Sequence, residues 1–425
     1  MRHAQGVVVV VLRRLPFLIV ATALVLAAFS TGAPFLFFLV YLGLAVLGGS
    51  YLVTRFGLAD LEAGYAVNQL QAHVGEVLRA TYTLRSASRI PKLWLEVHNP
   101  STLPVPLPGR AISLGPHGER SWIAKVPLGR RGHFRVDPLQ IRTGDPFGFF
   151  EASASVGHGL TLVVYPRLEP IPRWRLQAVS LEGSRSTPVR TQQTTPLATS
   201  VRPYAPGDGF NRIHWPSTAR TGEIRVKEFD LEQTADVWII VDLQRAAQVG
   251  AGDDGTVEVG VRVAAAIAER AIEENRAVAL TTTGSHVTVL PPDRGPRQRQ
   301  KILQLLAAVD GDGSTPLVEA LVSGLPLLRR GMSAIVITAS TAAGWVRPLA
   351  TLRPRGIGCQ VIWLDPAVFA RRAAETAGTI GEPVVAAALA EREVAARNMR
   401  HQVAEFDIRT YAVPPGVPLA EVLVG

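Results

Sequence analysis

The sequence predicts three successive parts: a hairpin of two transmembrane helices, a β-rich sandwich-like module and a doubly wound α/β domain. Three observations predict them. Residues 15–54 contain no charged side chain, residues 60–166 carry short runs of alternating apolar and polar residues, and residues after 235 alternate between buried-strand and amphipathic-helix patterns. With 425 residues and 47% hydrophobic content, the chain can form a sizeable core as well as membrane spans.

The hairpin is predicted over residues 1–58. The apolar run is interrupted once, at "STGAP" (Ser30 to Pro34), where Gly and Pro disfavour a continuing helix. The pieces Leu15–Phe29 and Phe35–Val53 approach the ~20 residues that a spanning helix needs. A cleaved signal peptide is the alternative, and it is disfavoured by the second apolar piece and by the lack of a small-residue cleavage site before it.

The cations that flank the hairpin predict its orientation. Arg2, Arg13 and Arg14 precede the first apolar piece, Arg55 follows the second, and the turn between them has no charge. Cytoplasmic flanks of membrane helices are enriched in Lys and Arg. We therefore expect an inner (plasma) membrane protein with both ends, and the whole soluble part, in the cytoplasm.

The composition of the chain excludes several function classes. Its net charge of +9 is spread along the soluble part without a Lys/Arg tract interleaved with aromatic residues, which disfavours nucleic-acid binding. The single cysteine, Cys359, excludes an internal disulfide and argues against a thiolate metal site. Its neighbours "GIGCQVIWL" are typical of a buried strand, so Cys359 is interpreted as core filling.

The β-rich module is predicted over residues 59–170. Its alternating runs are "VLRATYTL", "KLWLEVHN", "SWIAKVPL", "HFRVDPLQI" and "LTLVVYP", with Pro, Gly and Ser between them, a pattern typical of antiparallel sandwiches. "GRRGHFRVDPLQIRTGDPFGFFE" lacks the Lys-Ser/Thr ending of a phosphate loop, so Phe147, Phe149 and Phe150 are expected in the core. Residues 171–200 are rich in Pro, Ser, Thr, Arg and Gln and are predicted to be a connector.

The α/β domain is predicted over residues 235–425. "DVWIIVDL", "SAIVITAS" and "CQVIWLD" are short apolar runs of the kind buried on both faces of a parallel sheet. The helix lined by Val257 to Ile272 would be capped by Asp254 or Thr256. Further helices are expected at "RQRQKILQLLAAV", "TPLVEALVSGLPLL" and "WVRPLATLRPRG" and around Ala367 and Ala386, with strands at "AVALTTT", "HVTVLPP" and "DIRTYAV". The alternation implies βαβ units.

The carboxyl end of the first of these strands is similar to the start of a von Willebrand factor A domain. That doubly wound family holds a metal with Asp-x-Ser-x-Ser after the first strand, a Thr before a helix and a later Asp. Asp242 and Thr315 match the first Asp and the Thr, but the two Ser positions hold Gln244 and Ala246. The later Asp position is Ala339 or Ser340. Since a hard cation needs several oxygen ligands, no tightly held Mg²⁺ is expected, and Asp242 is expected to pair with a cation or cap a helix.

The segment from Arg202 to Phe229, "RPYAPGDGFNRIHWPSTARTGEIRVKEF", is the most constrained stretch of the chain. Pro and Gly predict a turn, followed by a short helical turn that Asp208 would cap. Ile213 and Trp215 are expected to dock on a core, and "GEIRVKEF" is expected to form an edge strand or ribbon. This signature segment, residues 201–234, is therefore predicted to be a joint between the β-rich and α/β parts.

Anion binding is the alternative role of the signature segment. Arg202, Arg212, Arg220 and Lys227 would converge on a phosphate or on an acidic partner surface, unless the Arg residues pair with nearby carboxylates. His214 has no spaced Ser, Cys or second carboxylate, which favours a hydrogen-bonded structural role over that of a general base. No catalytic residues are predicted.

The signature segment closely resembles that of the bacterial family called domain of unknown function fifty-eight. "RRGHFRVDPLQIRTGDPFGFF" resembles the same family's upstream Arg-Gly and Asp-Pro-Phe-Gly element, so the resemblance extends over nearly the whole chain. The matching residues of the signature segment are Arg202, Tyr204, Gly207, Asp208, Arg212, Ile213, Trp215, Ala219, Arg220, Gly222, Val226, Lys227 and Phe229.

The resemblance implies a membrane-tethered, non-enzymatic adaptor that partners a MoxR-type AAA+ ATPase in the assembly or maturation of other protein complexes. Two alternatives stay open. One is a metal-dependent adhesive module that faces outward. The other is an anion- or nucleotide-binding enzyme centred on Asp208, His214 and Arg220, which no Walker, nucleophile-elbow or zinc-ligand spacing supports.

Overall fold

The computed structural model describes residues 2–3, 7–10, 15–174, 200–205, 210, 213–228, 236–284 and 286–424. The chain divides into two compact units. The first comprises residues 1–168 together with 303–308, and the second comprises residues 169–302 together with 309–425.

Two apolar helices lie near the N-terminus. They are α1 (Leu15–Thr31) and α2 (Pro34–Gly57). Between them Gly32 has a φ of 67°, a backbone conformation that favours glycine, and Pro34 stands at the start of α2, where its missing N–H costs nothing. The 24 residues of α2 are long and apolar enough to cross a bilayer, and the 17 residues of α1 form a shorter apolar helix.

The rest of the first unit is β-rich, as predicted. Its strands form three sheets, in the orders β1-β3-β5-β8, β2-β11-β10-β6-β7 and β4-β12-β9. The strands are β1 (Arg2–His3), β2 (Val7–Val10), β3 (Leu61–Val67), β4 (Gln71–His73), β5 (Val77–Ser86), β6 (Lys92–His98), β7 (Arg110–Leu114), β8 (Glu119–Pro127), β9 (Gly132–Val136), β10 (Leu139–Gly144), β11 (Phe150–Val156) and β12 (Leu160–Tyr165).

Alternation along the strands builds the core of this unit. In β5, Leu78, Ala80, Tyr82 and Leu84 are buried while the residues between them are more exposed, as expected for a half-buried strand. The predicted run "HFRVDPLQI" is two strands, β9 and β10, because the Asp-Pro step in its middle interrupts the pairing. The sequence patterns did not reveal β1, β2, β3, β4, β7 and β11.

The predicted burial of three phenylalanines in this core is wrong. Phe147 is 54% exposed, and Phe149 and Phe150 are half-buried. The Asp145 carboxylate accepts hydrogen bonds from the backbone N–H groups of Phe147 (2.9 Å) and Phe150 (2.7 Å), which closes a tight turn at the end of β10. The side chains of such a turn leave the sheet, so the apolar run "FGFF" does not enter the core.

The second unit begins at Glu169, two residues before the predicted connector, and includes the start of that connector. Ile171 and Trp174 are 2% and 0% exposed, so these two side chains pack as core residues do and not as linker residues do. Residues 175–199, the remainder of that connector, lie outside the described residues. The following described elements are β13 (Ser200–Pro203), α3 (Trp215–Thr221) and β14 (Arg225–Glu228).

A six-stranded sheet organises the rest of the second unit. Its order is β17-β16-β15-β18-β19-β20, and all neighbours are parallel except β16 and β17. The elements are β15 (Val237–Val241), α4 (Thr256–Glu273), β16 (Val278–Thr283), β17 (Val287–Asp293), α5 (Gly295–Ala308), α6 (Leu317–Gly324), β18 (Ser333–Thr338), α7 (Val346–Ala350), β19 (Gly358–Trp363), α8 (Pro366–Ala377), α9 (Pro383–Glu405), β20 (Arg409–Ala412) and α10 (Leu419–Val422). The last six residues of α5, 303–308, are grouped with the first unit.

Helices cover both faces of this sheet. Trp238 and Ile240 of β15 belong to the core that includes Leu317 and Leu321 of α6, while α4 packs on the opposite face. This two-sided burial explains why every residue of β15, β16 and β18 is buried. The α/β pattern read from the sequence is therefore confirmed as a mostly parallel sheet with helices between its strands.

Three local predictions need correction or refinement. The N-cap of α4 is Gly255, which has no side chain, so neither Asp254 nor Thr256 caps the helix; the Thr256 hydroxyl donates to Gln248 Oε1 (2.8 Å). "WVRPLATLRPRG" contains a helix of only five residues, α7, and Gly356 ends a separate short turn at a φ of 76°. Burial raises the pKa of the Cys359 thiol to about 12, which fits a packed and unreactive cysteine.

Gly324 provides a test of the packing between α6 and β15. A Cβ at this position would lie 2.1 Å from the Trp238 ring, whereas a Cβ at Gly344 would meet no atom within 4 Å. Gly324→Ala should lower the free energy of unfolding by about 1–3 kcal/mol, because Trp238 is buried and has no room to move. Thermal unfolding of the detergent-solubilised full chain measures this, with Gly344→Ala as the matched control. Equal midpoints for the two variants would contradict the packing described.

Candidate functional site

The carboxyl edge of the six-stranded sheet is the first place to search for a site. The chain runs from β15 to β16 on one side and later returns to β18 on the other, so the strand order reverses at β15. In open α/β sheets, ligands bind at such a reversal, beyond the carboxyl ends of the strands. Asp242 follows β15 directly and is 4% exposed.

Two threonines on the neighbouring strands hold the Asp242 carboxylate. Thr338 Oγ1 donates to Oδ2 (2.6 Å), and Thr283 Oγ1 donates to Oδ1 (3.3 Å). Each threonine oxygen also accepts a backbone hydrogen bond, Thr283 from Leu243 N–H (2.7 Å) and Thr338 from Ser340 N–H (2.9 Å). Since the hydroxyls receive these backbone hydrogens, their own hydrogens are directed at the carboxylate. Asp242 thus links β15 to both of its neighbours.

The electrostatics of Asp242 follow from this burial. Burial raises the pKa of the Asp242 carboxyl above its ordinary value of 3.8, while the hydrogen bonds from Thr338, Gln244 N–H and Thr283 act in the opposite direction. The expectation that Asp242 pairs with a cation or caps a helix is wrong for the described residues, because neutral hydroxyl and backbone donors occupy its oxygens.

The other positions of the metal motif surround Asp242 without completing a ligand set. Gln244 contributes its backbone N–H to Asp242 Oδ1 (3.1 Å), and Ala246 lies in the short helical turn that follows. Thr315 is half-buried before α6. Within the described residues, no group of three His, Cys, Asp or Glu side chains stands close enough to hold a metal ion.

The loop before α6 closes this edge of the sheet. Gly313 donates its N–H to Leu243 O (3.1 Å) and accepts from Arg245 N–H (2.8 Å). A Cβ on Gly313 would lie 1.8 Å from the carbonyl oxygen of Thr283, so only glycine fits here. The backbone at Gly313 is therefore packed against the chain that follows Asp242 and against the end of β16.

The signature segment is the second candidate. β13 and β14 pair as an antiparallel two-stranded ribbon, which confirms the predicted ribbon. Gly207, Asp208, Arg212 and Phe229 lie outside the described residues, as does the side chain of Lys227, so the predicted Asp208 cap is among the untested contacts.

Capping and hydrogen bonds hold α3 in place, since none of its residues is buried. His214 is its N-cap: Nδ1 accepts from Ser217 N–H (3.3 Å) and lies 2.7 Å from Ser217 Oγ. Gly222 ends the helix at a φ of 73°. The helix is fastened to β14 because His214 N–H donates to Arg225 O (2.8 Å) and Arg225 N–H donates to Thr218 Oγ1 (3.0 Å). His214 thus has the structural role that the sequence favoured.

The predicted docking of Trp215 on a core is wrong. Ile213 does dock: it is 5% exposed and forms an antiparallel bridge with Val226, which is 1% exposed. The Trp215 ring, in contrast, is 66% exposed, and Phe210 and Ile224 are 76% and 46% exposed. The sequence pattern marks these residues as apolar, but it does not tell which side of a capped helix faces solvent.

The cations of the segment lie on several of its elements. Arg202 lies on β13, and its side chain donates to Pro203 O (3.1 Å). The backbone N–H of Tyr204 donates to Ile224 O (2.9 Å). Arg220 is exposed in the last turn of α3. Arg225 Nη2 lies 3.6 Å from Glu223 Oε2, an intrasegment pair of the kind that the sequence offered as the alternative to anion binding.

These features define a class: a protein with an apolar helix able to cross a membrane, a β-rich unit, and an α/β unit whose signature segment contains a capped helix, α3, without a buried residue. Residues 200–367 match the sequence model of the family described as "Protein of unknown function DUF58". The matched range contains the signature segment and the sheet from β15 to β19.

Two relatives extend the comparison. Uncharacterized protein YeaD of Bacillus subtilis (strain 168) is 27% identical over 318 residues, covering 71% of this chain and 76% of that protein. Uncharacterized protein Rv1480 of Mycobacterium tuberculosis is 29% identical over 173 residues, covering 39% of this chain and 54% of that protein. The chain thus spans about half the length of this mycobacterial relative.

Solved structures add no argument about the fold. A CARDB domain from Pyrococcus furiosus is 12% identical and covers 25% of this chain and 94% of that domain, but its TM-score is 0.19.

The Asp242 bridge predicts a specific pH dependence. Because the pKa of the folded state is raised, the stabilising contribution of protonated Asp242 is present below pH 3.8 and is lost as pH rises through the folded pKa. Asp242→Asn cannot titrate, so its thermal midpoint should rise relative to that of the parent chain as the pH increases from about 4 through the folded-state pKa of Asp242. Thermal unfolding of both proteins in detergent across this range measures the difference. Parallel curves would show that Asp242 titrates as it does in the unfolded chain.

Proposed function

We propose that the protein is a membrane-tethered, non-enzymatic adaptor that presents its signature segment to a partner, most directly a MoxR-type AAA+ ATPase that acts in the assembly or maturation of protein complexes. The observation that carries this proposal is the exposure of Trp215. Trp215 matches the family signature, lies on a helix without a buried residue, and is exposed to solvent.

The chemistry of the segment suits a protein partner. Trp and Arg are the residue types most enriched among those that dominate binding energy, and the segment combines the exposed Trp215 and Phe210 with Arg220. The shape of α3 is set in advance by two caps and by backbone bonds to β14, so this helix has little conformational entropy to lose on binding.

The remaining parts of the proposal concern the tether and the α/β unit. We infer that α1 and α2 form a two-span hairpin with both ends in the cytoplasm, supported by the break at Gly32 and by the flanking cations. The α/β unit is proposed to be von Willebrand factor A-like, supported by its strand order and by Asp242 at the strand-order reversal. The threonine bonds of Asp242 and the Gly313 loop support partner binding without a metal ion.

Replacement of the exposed aromatic residues tests the adaptor. The double variant Phe210→Ala, Trp215→Ala should lose most of the MoxR-type ATPase that co-purifies with the full chain from detergent-solubilised membranes in the presence of nucleotide. Quantitative mass spectrometry of the purified complex measures the ratio of the two proteins. Because both side chains are exposed, thermal stability should change by less than about 0.5 kcal/mol.

The matched control is Ile380→Ala, Val384→Ala, which removes two exposed apolar side chains of the same unit outside the signature segment. It should retain the ATPase. Recovery of no such ATPase with the parent chain would overturn the proposed partnership, and equal recovery with both double variants would place the contact outside the segment.

The orientation of the hairpin is tested with reporters. Green fluorescent protein fused after Gly425 should fluoresce, and alkaline phosphatase fused there should be inactive, since the latter needs the oxidising side of the membrane. Alkaline phosphatase fused after Gly32, in the turn, should be active. The opposite pattern would support the outward-facing adhesive module and reject the adaptor.

A further inference from the structure

The turn at the end of β10 carries an aromatic surface that no part of the proposed function uses. Phe147 and Phe149 stack with ring centroids 6.0 Å apart. Trp94, which is 46% exposed, lies next to this turn, since its ring is 3.7 Å from the Cβ position of Gly144. The neighbouring Leu93 is 65% exposed. We call Leu93, Trp94, Phe147 and Phe149 the aromatic turn surface.

This surface is fixed to the apolar helices of the same unit. The ring of Phe149 lies 4.9 Å from that of Phe17 in α1, and the ring of Phe150 lies 5.7 Å from that of Tyr51 in α2. Phe17 is near the beginning of α1 and Tyr51 is near the end of α2, so the turn meets both helices at the same end of the pair.

The end of α2 also packs directly on strand β10 of the β-rich unit. Ser50, Thr54 and Gly57 of α2 are buried, and the Cβ position of Gly57 is 2.7 Å from Thr143 Cγ2. Lys92 Nζ donates to Phe56 O (2.5 Å), which satisfies a carbonyl at the helix end. The β-rich unit therefore holds a fixed position relative to α2.

Helix length sets the level of the turn relative to a bilayer. A hydrocarbon core of ~30 Å takes ~20 helical residues, which, counted from Pro34, ends near Val53. Tyr51 lies within two residues of this boundary, so the Phe150 ring that contacts it lies at the same depth. Arg55 follows and is exposed, placed to reach lipid phosphates.

We propose that the aromatic turn surface inserts into the interfacial layer of the bilayer that α2 crosses, giving the β-rich unit a second, side-on contact with lipid. Trp and other aromatic side chains are favoured at this depth, where an apolar ring borders on the headgroups. The occupant is the phospholipid interface itself. The inference rests on the proposed membrane hairpin.

The single native cysteine allows a direct test. In a Cys359→Ala background, Phe147→Cys is labelled with an environment-sensitive fluorophore, and the full chain is reconstituted into phospholipid vesicles that contain lipids spin-labelled near the glycerol. The emission of the Phe147→Cys label should shift to the blue and be quenched by these lipids. Because Phe147 is exposed, the substitution leaves the core intact.

Val77→Cys is the matched control. Val77 is 41% exposed and stands at the far end of β5, nine residues along the strand from Ser86, which pairs with Leu61 just after α2. At ~3.3 Å per residue this end is roughly 30 Å from Ser86. The label at Val77→Cys should show neither a blue shift nor quenching.

Three other outcomes overturn the inference, and they differ in what they say about the hairpin. If the vesicles float and the protein does not float with them, the membrane hairpin and the insertion are both refuted. Flotation with an unquenched label at Phe147→Cys would refute the insertion and leave the hairpin standing. Equal quenching at Phe147→Cys and Val77→Cys would show lipid contact that is not specific to the turn.

Discussion

The hydrogen bonds between the Asp242 carboxylate and the hydroxyls of Thr283 and Thr338 join three strands at the reversal of the sheet. They satisfy a buried carboxyl group with neutral donors, and the donors are themselves oriented by backbone N–H groups. Removal of the carboxylate would leave buried hydroxyls without their acceptor, a loss that a low-dielectric interior makes expensive. Asp242, which stands where many open α/β sheets hold a ligand, thus bonds to the protein's own hydroxyl and backbone donors.

The second unit therefore combines a tightly packed sheet with a helix, α3, that is exposed to solvent. Around β15, every strand residue is buried and Gly313 leaves no space for a side chain. The signature segment is built differently: its helix buries nothing and depends on the caps His214 and Gly222 and on bonds to β14. Isolated helices of this length are unstable in water, so these bonds are what preserves its shape.

Much of the fold could be predicted because it is written in local periodicity. The continuous apolar runs identified β15, β18 and β19, and the break between the apolar helices followed from Gly32 and Pro34. Which side chains are buried was harder to predict from the sequence. Trp215 and Phe147 are aromatic residues in constrained turns, a pattern equally compatible with a core or a surface, and only the placement of neighbouring elements decides between them.

The partners of Asp242 were missed for a related reason. Thr283 and Thr338 are ordinary β-branched residues at strand ends, and they lie 41 and 96 positions from Asp242 along the chain. The signal was present, since each polar side chain ends a strand that the sequence already placed in one parallel sheet. To predict that these threonines contact Asp242, the order of the strands in the sheet would have been needed, and local periodicity does not provide it.

We propose that the signature segment, and not the carboxyl edge of the sheet, is the surface that meets the partner. Hydrogen exchange of the full chain in lipid nanodiscs, measured by mass spectrometry with and without the MoxR-type ATPase and nucleotide, tests this most directly. We expect slower exchange on binding in residues 213–226 and unchanged exchange in residues 242–249 and 338–343. Slowed exchange confined to the latter two ranges would contradict it.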